Sequence, residues 1–168
     1  MELIDIYDGS RRKTGRTAER SSPLSPGERC LVAHLCLFDS RGELLIQRRS
    51  AEKKRYPGCW DLSAGGFVRS GEDSLQAVLR ETREELGLKL RAQELSFILT
   101  EPFSYVLDDF YFARLDLEPA ALCLQREELS AAEFCPAETL FRRLAEGSFV
   151  DYSATLMESI FAFERARR

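Results

Sequence analysis

The feature that most constrains the fold is one amphipathic helix, predicted to begin at the tetrapeptide Ser70-Gly71-Glu72-Asp73. The tetrapeptide matches a capping box in which the Ser70 hydroxyl accepts from the backbone of residue 73, and an acid in the first turn suits the helix dipole. Apolar or core-facing side chains then recur at helical spacing, at Leu75, Val78, Leu79, Thr82 and Leu86. Gly87 is the expected C-terminal stop. One face of this helix is therefore expected to pack against a core.

Three carboxylates occupy the same helix at Glu81, Glu84 and Glu85. Their i, i+3, i+4 spacing groups them on a face predicted to lie roughly opposite the apolar one. A solvated charged face is one explanation, and Arg80 with Glu84 would form an ordinary i, i+4 ion pair. Glu81 and Glu85, however, are a like-charge i, i+4 pair that costs roughly 0.2–0.5 kcal/mol. A hard divalent cation, Mg²⁺ or Mn²⁺, would offset this repulsion, because such ions select carboxylate oxygens.

Length and charge limit the classes of protein to which the chain can belong. Its 168 residues predict one domain. Twenty-four Lys and Arg against 28 Asp and Glu give a net charge of -4, so the chain lacks an overall positive field for nucleic acid or anionic lipid. Its longest apolar stretch, residues 31–38, is far shorter than the ~18 residues of a membrane helix. We therefore expect a cytoplasmic protein with no nucleic-acid or membrane partner.

The pattern of elements predicts a short extension followed by an α/β domain. Residues 1–29 form a hairpin-like extension, and residues 30–168 form the main domain. Strands are predicted at residues 31–38, 43–49, 59–64, 95–100, 104–117 and 133–135, and further helices at residues 136–145 and 152–166. The five cysteines contain no CxxC pair and are expected to be reduced thiols, and the single histidine, His34, is expected to be a satisfied core residue.

With its flanking residues, the helix resembles the Nudix box, GX5EX7REUXEEXGU, in which U is apolar. The match runs from Gly66 to Leu88, and all seven fixed letters are present. The one departure is Thr82, which stands where the family usually has an aliphatic residue. Because position 82 lies on the predicted core face, we expect a packing cost and no loss of chemistry.

The resemblance implies a Nudix fold, an α/β/α sandwich around a mixed β-sheet, over roughly residues 30–165. Enzymes of this family hydrolyse a nucleoside diphosphate linked to another group and use a divalent metal. The implied metal ligands are Glu84, Glu85 and the backbone carbonyl of Gly66, and Glu81 would be a ligand or the general base. Arg80 would orient a carboxylate, and Glu72 would brace the loop against the helix.

Two segments outside the box are candidate parts of the site. Family members commonly supply a further metal-binding acid in an acid-(4)-acid-aromatic setting, which Glu128 matches, although a solvated loop explains this segment equally well. Residues 48–55 are the densest positive stretch of the chain. Strand alternation turns one of Arg48 or Arg49 toward the site, and with Arg55 these are the candidate substrate-binding arginines. For most of this stretch, a solvated loop is the alternative.

Two other functions compete with hydrolysis. The wider context is similar to the Nudix branch related to type I isopentenyl-diphosphate isomerase, but Gly65 and Phe67 occupy the positions of that enzyme's catalytic Cys and a metal-binding His. Cys59 is six residues too early, and isomerases tend to have a degraded box. A non-catalytic nucleotide-binding regulator is the third alternative. The expected partner is a small-molecule diphosphate, whose identity the sequence leaves open. The oligomeric state is also open, and a homodimer is one alternative.

Overall fold

The longest apolar run of the sequence forms a central strand in the computed structural model, which describes residues 2–168. In chain order the strands are β1 (Leu3–Tyr7), β2 (Lys13–Glu19), β3 (Cys30–Phe38), β4 (Leu44–Arg49), β5 (Trp60–Asp61), β6 (Ala64–Phe67), β7 (Ser96–Phe103), β8 (Val106–Arg114) and β9 (Leu129–Cys135). The helices are α1 (Ser74–Leu86), α2 (Ala137–Ala145) and α3 (Ala154–Arg165), and short 3₁₀ turns lie at Ala92–Glu94 and Pro119–Ala121. Within residues 2–168, every helix is too short or too polar to cross a membrane.

The main sheet is mixed and splays at its centre. Its strand order is β5-β4-β3-β8-β7, with β6 also paired to β3 and β9 to β4. Strands β3 and β8 run parallel, whereas the other pairs are antiparallel. Strands β3 and β4 pair only at Phe38 and Leu44. Beyond this point the two strands separate, and β3 pairs with β6 while β4 pairs with β5. The separation of β3 from β4 makes room for a cavity at this end of the sheet.

Helices cover both faces of the sheet, which confirms the predicted α/β/α sandwich. On one face, Leu35 and Leu37 of β3 pack in a cluster with Val78 and Leu86 of α1. On the other, Phe38 belongs to a cluster with α3 residues that include Ile160 and Phe161. Thr82 is fully buried, and its hydroxyl donates to the Val78 carbonyl at 2.6 Å, so the departure from the family pattern leaves no unpaired hydroxyl.

The N-terminal hairpin packs against the main sheet. Strands β1 and β2 pair antiparallel, and Ile4 and Ile6 are buried in a cluster with Val32 and Val106. Arg11, in the hairpin turn, forms an ion pair with the buried Asp109 of β8. The contacts are therefore both apolar and ionic; Met1, the first residue of the predicted extension, lies outside the described residues.

The N-cap of helix α1 lies three residues after the predicted one. Asp73 is the N-cap: its side chain accepts from the Gln76 N–H at 2.7 Å, and the Gln76 side chain accepts from the Asp73 N–H at 2.9 Å. The prediction of Ser70 was wrong because its hydroxyl donates to Asp5 of β1 at 2.7 Å, a tertiary contact with no local signal. Gly87 is confirmed as the stop, with a left-handed φ of 71° that glycine adopts without strain.

Two strand predictions also need correction. Residues 59–64 form no single strand but split into β5 and β6, because the chain crosses from β4 to β3 between them. The buried Ser63 hydroxyl stabilises this crossing, since it donates to the Leu45 carbonyl at 2.6 Å and accepts from the Leu37 N–H at 2.8 Å. Strand β9 begins at Leu129, four residues before its predicted start, because β4 offers a pairing edge along its whole length.

Candidate active site

Two glycines of β6 let the strand lie directly against the carboxylates of α1. The Gly65 N–H donates to Glu85 Oε2 at 3.0 Å. A Cβ on Gly66 would lie 2.3 Å from Glu81 Oε1, so any side chain there would push the glutamate away. The Gly-Gly pair therefore holds two of the helix acids within reach of the strand backbone.

Arg80 forms a clamp that ties the box together. Its Nε and Nη2 donate to the two oxygens of Glu72 at 2.9 and 3.0 Å, and Nη2 also donates to the Phe67 carbonyl at 3.0 Å. Its Nη1 donates to Glu81 at 2.6 Å and to Glu84 at 3.2 Å. A planar guanidinium with several N–H groups suits this arrangement. The structure therefore brings Arg80 and Glu72 together with two of the three candidate acids.

The three carboxylates differ strongly in exposure. The side chain of Glu84 is 43% exposed and that of Glu81 is 14% exposed. Glu85 is buried at 7%, which corrects the prediction that all three lie opposite the core. Glu85 lies at the flank of the apolar face, where β6 covers it. Sequence periodicity misplaced it because a glutamate is expected outside unless a partner is known.

Burial makes the ionised form of these acids costly. Burial raises the pKa of Glu85 to about 8, the Gly65 N–H opposes this rise, and the nearby charge of Glu81 adds to it. Burial also raises the pKa of Glu81, although the bond to Arg80 opposes that shift. Positive charge delivered to this cluster would therefore favour the carboxylates in their ionised form.

The donor set fits a hard divalent cation. Carboxylate and carbonyl oxygens are the ligands of Mg²⁺ and Mn²⁺, and Glu81, Glu84, Glu85 and the Gly66 carbonyl are the oxygens available here. Among residues 2–168, no three acidic, His or Cys side chains are grouped closely enough to hold an ion as they stand. Arg80 Nη1 is at present the shared partner of Glu81 and Glu84. Glu84 is the most exposed of the acids and can turn toward an ion.

A cavity of about 600 Å³ opens beside this cluster. The three box acids line it together with Arg49, Lys53 and Arg55. Arg49 donates to Asp61 at 3.0 Å and to the Arg55 carbonyl. Arg48 lies outside the cavity wall, and its Nε donates to the Gly58 carbonyl at 3.0 Å. Of the two candidate arginines, Arg49 is therefore the one that faces the site.

Glu128 also lies on the cavity wall, where it forms an ion pair with Lys53. The Ser50 N–H donates to the Glu128 carbonyl at 2.8 Å, which joins the basic loop to the start of β9. The Glu128 side chain is 34% exposed, so it is partly solvated as well as paired with Lys53. The structure thus brings Glu128 to the cavity without assigning it a ligand.

The floor of the cavity contains polar residues that sequence reasoning missed. His34 Nε2 lies 3.0 Å from Asp108 Oδ1, and the imidazole stacks on Phe110 with a centroid separation of 5.0 Å. Burial alone would lower the pKa of His34, but the hydrogen bond and charge of Asp108 outweigh it and raise the pKa. Tyr152 donates to Asp61 at 2.9 Å. The His34 imidazole has a hydrogen-bond partner, as predicted, but it also lines the cavity. The position of His34 on the cavity wall follows from strand register, which the sequence analysis did not provide.

The class of protein follows from the mixed sheet and the glutamate helix packed against Gly65 and Gly66: it is a hydrolase of the Nudix type. A family model described as NUDIX domain matches residues 28–155, and the chain belongs to this family. A Listeria monocytogenes protein described as a Nudix hydrolase is 39% identical over 152 residues, which cover 90% of each chain. A crystal structure of a Deinococcus radiodurans protein has a TM-score of 0.80 at 28% identity and covers 94% of this chain and 98% of that one.

The isomerase resemblance also has a counterpart among known proteins. An isopentenyl-diphosphate Delta-isomerase of Streptomyces griseus is 26% identical over 162 residues, 94% of this chain and 82% of that one. This isomerase is less similar to the chain than the Listeria monocytogenes protein, which is 39% identical.

Proposed function

We propose that the chain hydrolyses the diphosphate linkage of a nucleoside diphosphate joined to another group, with Mg²⁺ or Mn²⁺ as cofactor. The observation that carries the proposal is the packing of Glu81 and Glu85 against the Gly65-Gly66 backbone at the wall of the cavity. Buried acids beside a strand backbone make an oxygen-rich site, and cations across the cavity supply charge for phosphate oxygens. A cavity of about 600 Å³ is within the ordinary range for a small-molecule substrate.

The metal would be held by Glu84, Glu85 and the Gly66 carbonyl, with Glu81 as a ligand or as the general base. A bound ion supplies neutralisation of charge on the phosphoryl oxygens and lowers the pKa of water. Glu81 lies against Gly66 within the cavity, where its carboxylate can accept a proton from the attacking water. Arg80 orients Glu81 by the 2.6 Å bond, while its contacts with Glu72 hold the guanidinium in place.

The basic loop supplies the phosphate grip in this proposal. Arg49 and Arg55 line the cavity, and the Lys53 amine lies beside Glu128 on the same wall. Burial and the charge of Arg49 lower the pKa of Lys53, so anionic oxygens would be favourable neighbours for this group of cations. Glu128 is proposed as a further metal ligand, whose carboxylate would leave its ion pair with Lys53 to bind the ion.

Hydrolysis is expected when the purified protein is incubated with a panel of nucleoside diphosphate derivatives and Mg²⁺ or Mn²⁺. Phosphate or mononucleotide release should occur with at least one member and stop in EDTA. Isopentenyl diphosphate, included in the same panel, should stay unchanged. Release that persists in EDTA would contradict metal dependence, and formation of dimethylallyl diphosphate would favour the isomerase alternative.

The cysteines argue against isomerisation. Within residues 2–168, no cysteine contributes to the cavity wall. The Cys59 Sγ lies 4.0 Å from the Gly147 carbonyl, and burial raises the pKa of Cys30 to about 11. Gly65 and Phe67 occupy the positions at which the resemblance calls for a thiol and an imidazole.

Arg49→Ala is expected to raise KM about tenfold, whereas Arg48→Ala should leave it within about twofold, because of these two arginines only Arg49 lines the cavity. Steady-state kinetics on the best substrate of the panel measures both values. Since Arg49 also pairs with Asp61, thermal unfolding must accompany the kinetics. Equal effects of the two variants would show that the phosphate groups are bound elsewhere.

A further inference from the structure

One arm of the cavity is built on the sheet face. Register places Phe67 opposite Val32, Val32 opposite Asp108, and Asp108 opposite Glu101, in one row across four strands. Cross-strand partners present their side chains on the same face. All four residues line the cavity, so this row forms part of its floor.

The next cross-strand pair, on β7 and β8, adds apolar side chains to the cavity floor. Phe103 lies opposite Val106, and both also line the cavity. Phe103 is 61% exposed, and Tyr56, which also lines the cavity, is 41% exposed. Large aromatic side chains left open in a concave site favour a planar ligand, because every nucleobase has a face that stacks on them.

The N-terminal hairpin forms the wall above this floor. The Arg20 guanidinium lies over the Phe67 ring, 4.6 Å from its centroid, and donates to Glu2 at 2.8 Å. Glu2 in turn accepts from Arg69 at 3.0 Å. Arg20 and Glu2 both line the cavity although they precede residues 28–155, the segment that matches the family model. The hairpin therefore adds a planar cation to a site whose other parts belong to the family domain.

We propose that this arm binds a nucleobase and prefers bases that carry an exocyclic amino group; the proposal rests on the nucleotide substrate proposed above. The base would stack on the Phe103 ring, next to the Arg20 guanidinium that covers the Phe67 ring. Its edge would meet the carboxylates of Glu101 and Asp108, which accept hydrogen bonds but donate none. The amino groups of cytosine and adenine donate to such acceptors, whereas uracil and hypoxanthine present a carbonyl oxygen at the same position and only a ring N–H beside it. His34 occupies only Oδ1 of Asp108, which leaves Oδ2 as an acceptor.

The arrangement of the two acids supports a selective role. Glu101 and Asp108 are directly opposite on antiparallel β7 and β8, and like charges so placed are destabilising. A donor group between them would offset the part of this repulsion that the contact between His34 and Asp108 leaves. Glu101 and Asp108 therefore do not stabilise the sheet as a pair, but they can recognise a ligand that carries a hydrogen-bond donor.

The test is binding of nucleoside monophosphates to the full chain in EDTA, measured by titration calorimetry. CMP is compared with UMP, and AMP with IMP, because in each pair a carbonyl oxygen replaces the amino group and the adjacent ring nitrogen changes from an acceptor to an N–H donor. These probes contain no diphosphate linkage, so the result is independent of hydrolysis. CMP and AMP are expected to bind about tenfold more tightly than UMP and IMP, respectively. Equal binding within either pair, or no binding of any probe, would overturn the proposal.

Substitutions of residues in the arm test whether the base preference arises there. Glu101→Gln should reduce the preference to within about threefold, because an amide both donates and accepts. Phe103→Ala should weaken all four probes about tenfold through loss of stacking, and Arg20→Ala should do so through loss of the cation beside the base. Arg12→Ala is the matched control, since Arg12 is an exposed arginine of the same hairpin outside the cavity wall. Unchanged binding in Glu101→Gln and Arg20→Ala would place the base elsewhere, whatever the outcome of the hydrolysis assay.

Discussion

Glu85→Gln is expected to lower the rate of metal-dependent hydrolysis at least about a hundredfold and, at the same time, to raise the thermal stability of the metal-free protein. The first effect follows from the loss of an anionic ligand. The second follows from burial, because Glu85 is only 7% exposed and its pKa is raised to about 8. Glutamine keeps an oxygen that can accept from the Gly65 N–H, which now donates to Glu85 at 3.0 Å.

The sign of the stability effect depends on pH. In the unfolded chain Glu85 titrates near its ordinary value of 4.5, and in the folded chain near 8, so between these values the folded state binds more protons. Raising the pH through this window therefore lowers the free energy of unfolding of the wild type. The neutral glutamine removes this contribution. We expect the variant to melt at least about 3 °C above the wild type at pH 8 in EDTA, with a smaller difference near pH 5.

Glu84→Gln separates the two effects. Its side chain is 43% exposed, so the rate should again fall at least about a hundredfold while the melting temperature in EDTA changes little. Glu127→Gln, at an exposed acid outside the cavity wall, is the control for charge alone. Steady-state rates in Mg²⁺ and thermal melts from pH 5 to 9 in EDTA measure both quantities. A wild-type rate in either box variant would contradict the proposed metal site, and a lower melting temperature in Glu85→Gln would contradict the burial argument.

The parts of the fold that local chemistry determines could be predicted from the sequence. Helix α1 has a periodic apolar face and ends at Gly87, where only a residue tolerant of positive φ fits easily. Strand β3 was evident from its unbroken apolar run. The mixed sheet and the helices on both faces followed from the family resemblance, which has its basis in the spacing of the box residues.

The parts that depend on tertiary contacts could not be predicted. The Ser70 hydroxyl is taken by Asp5, which is 65 residues away in the chain, so the cap moved to Asp73. Alternation predicted that one of Arg48 and Arg49 faces the site, and the structure shows that it is Arg49, which lines the cavity. The row from Phe67 to Glu101 combines four strands, and no local pattern indicates which residues will be neighbours across them. Such register cannot be inferred from local sequence patterns.

Arg80→Lys is expected to lower kcat about ten- to a hundredfold and to lower the melting temperature by several degrees, although the charge is conserved. The guanidinium spans both oxygens of Glu72, the Phe67 carbonyl and Glu81 at distances of 2.6–3.0 Å. A lysine has one nitrogen at the end of its chain, so it cannot donate to Glu72 and Glu81 in the same geometry. One of these partly buried carboxylates then loses its partner, which destabilises the loop between β6 and α1.

The same substitution tests whether Arg80 acts through position or through charge. If charge were sufficient, the lysine variant would keep the wild-type rate, and that result would contradict the clamp. If position matters, Glu81 is no longer held against Gly66, and kcat falls more than KM rises, because the affected group acts on the attacking water. Arg83→Lys is the matched control, since Arg83 is exposed on the same helix. Rates at saturating Mg²⁺, with thermal melts of both variants, decide between the two roles, because a purely structural arginine would alter stability while leaving kcat of the folded fraction unchanged.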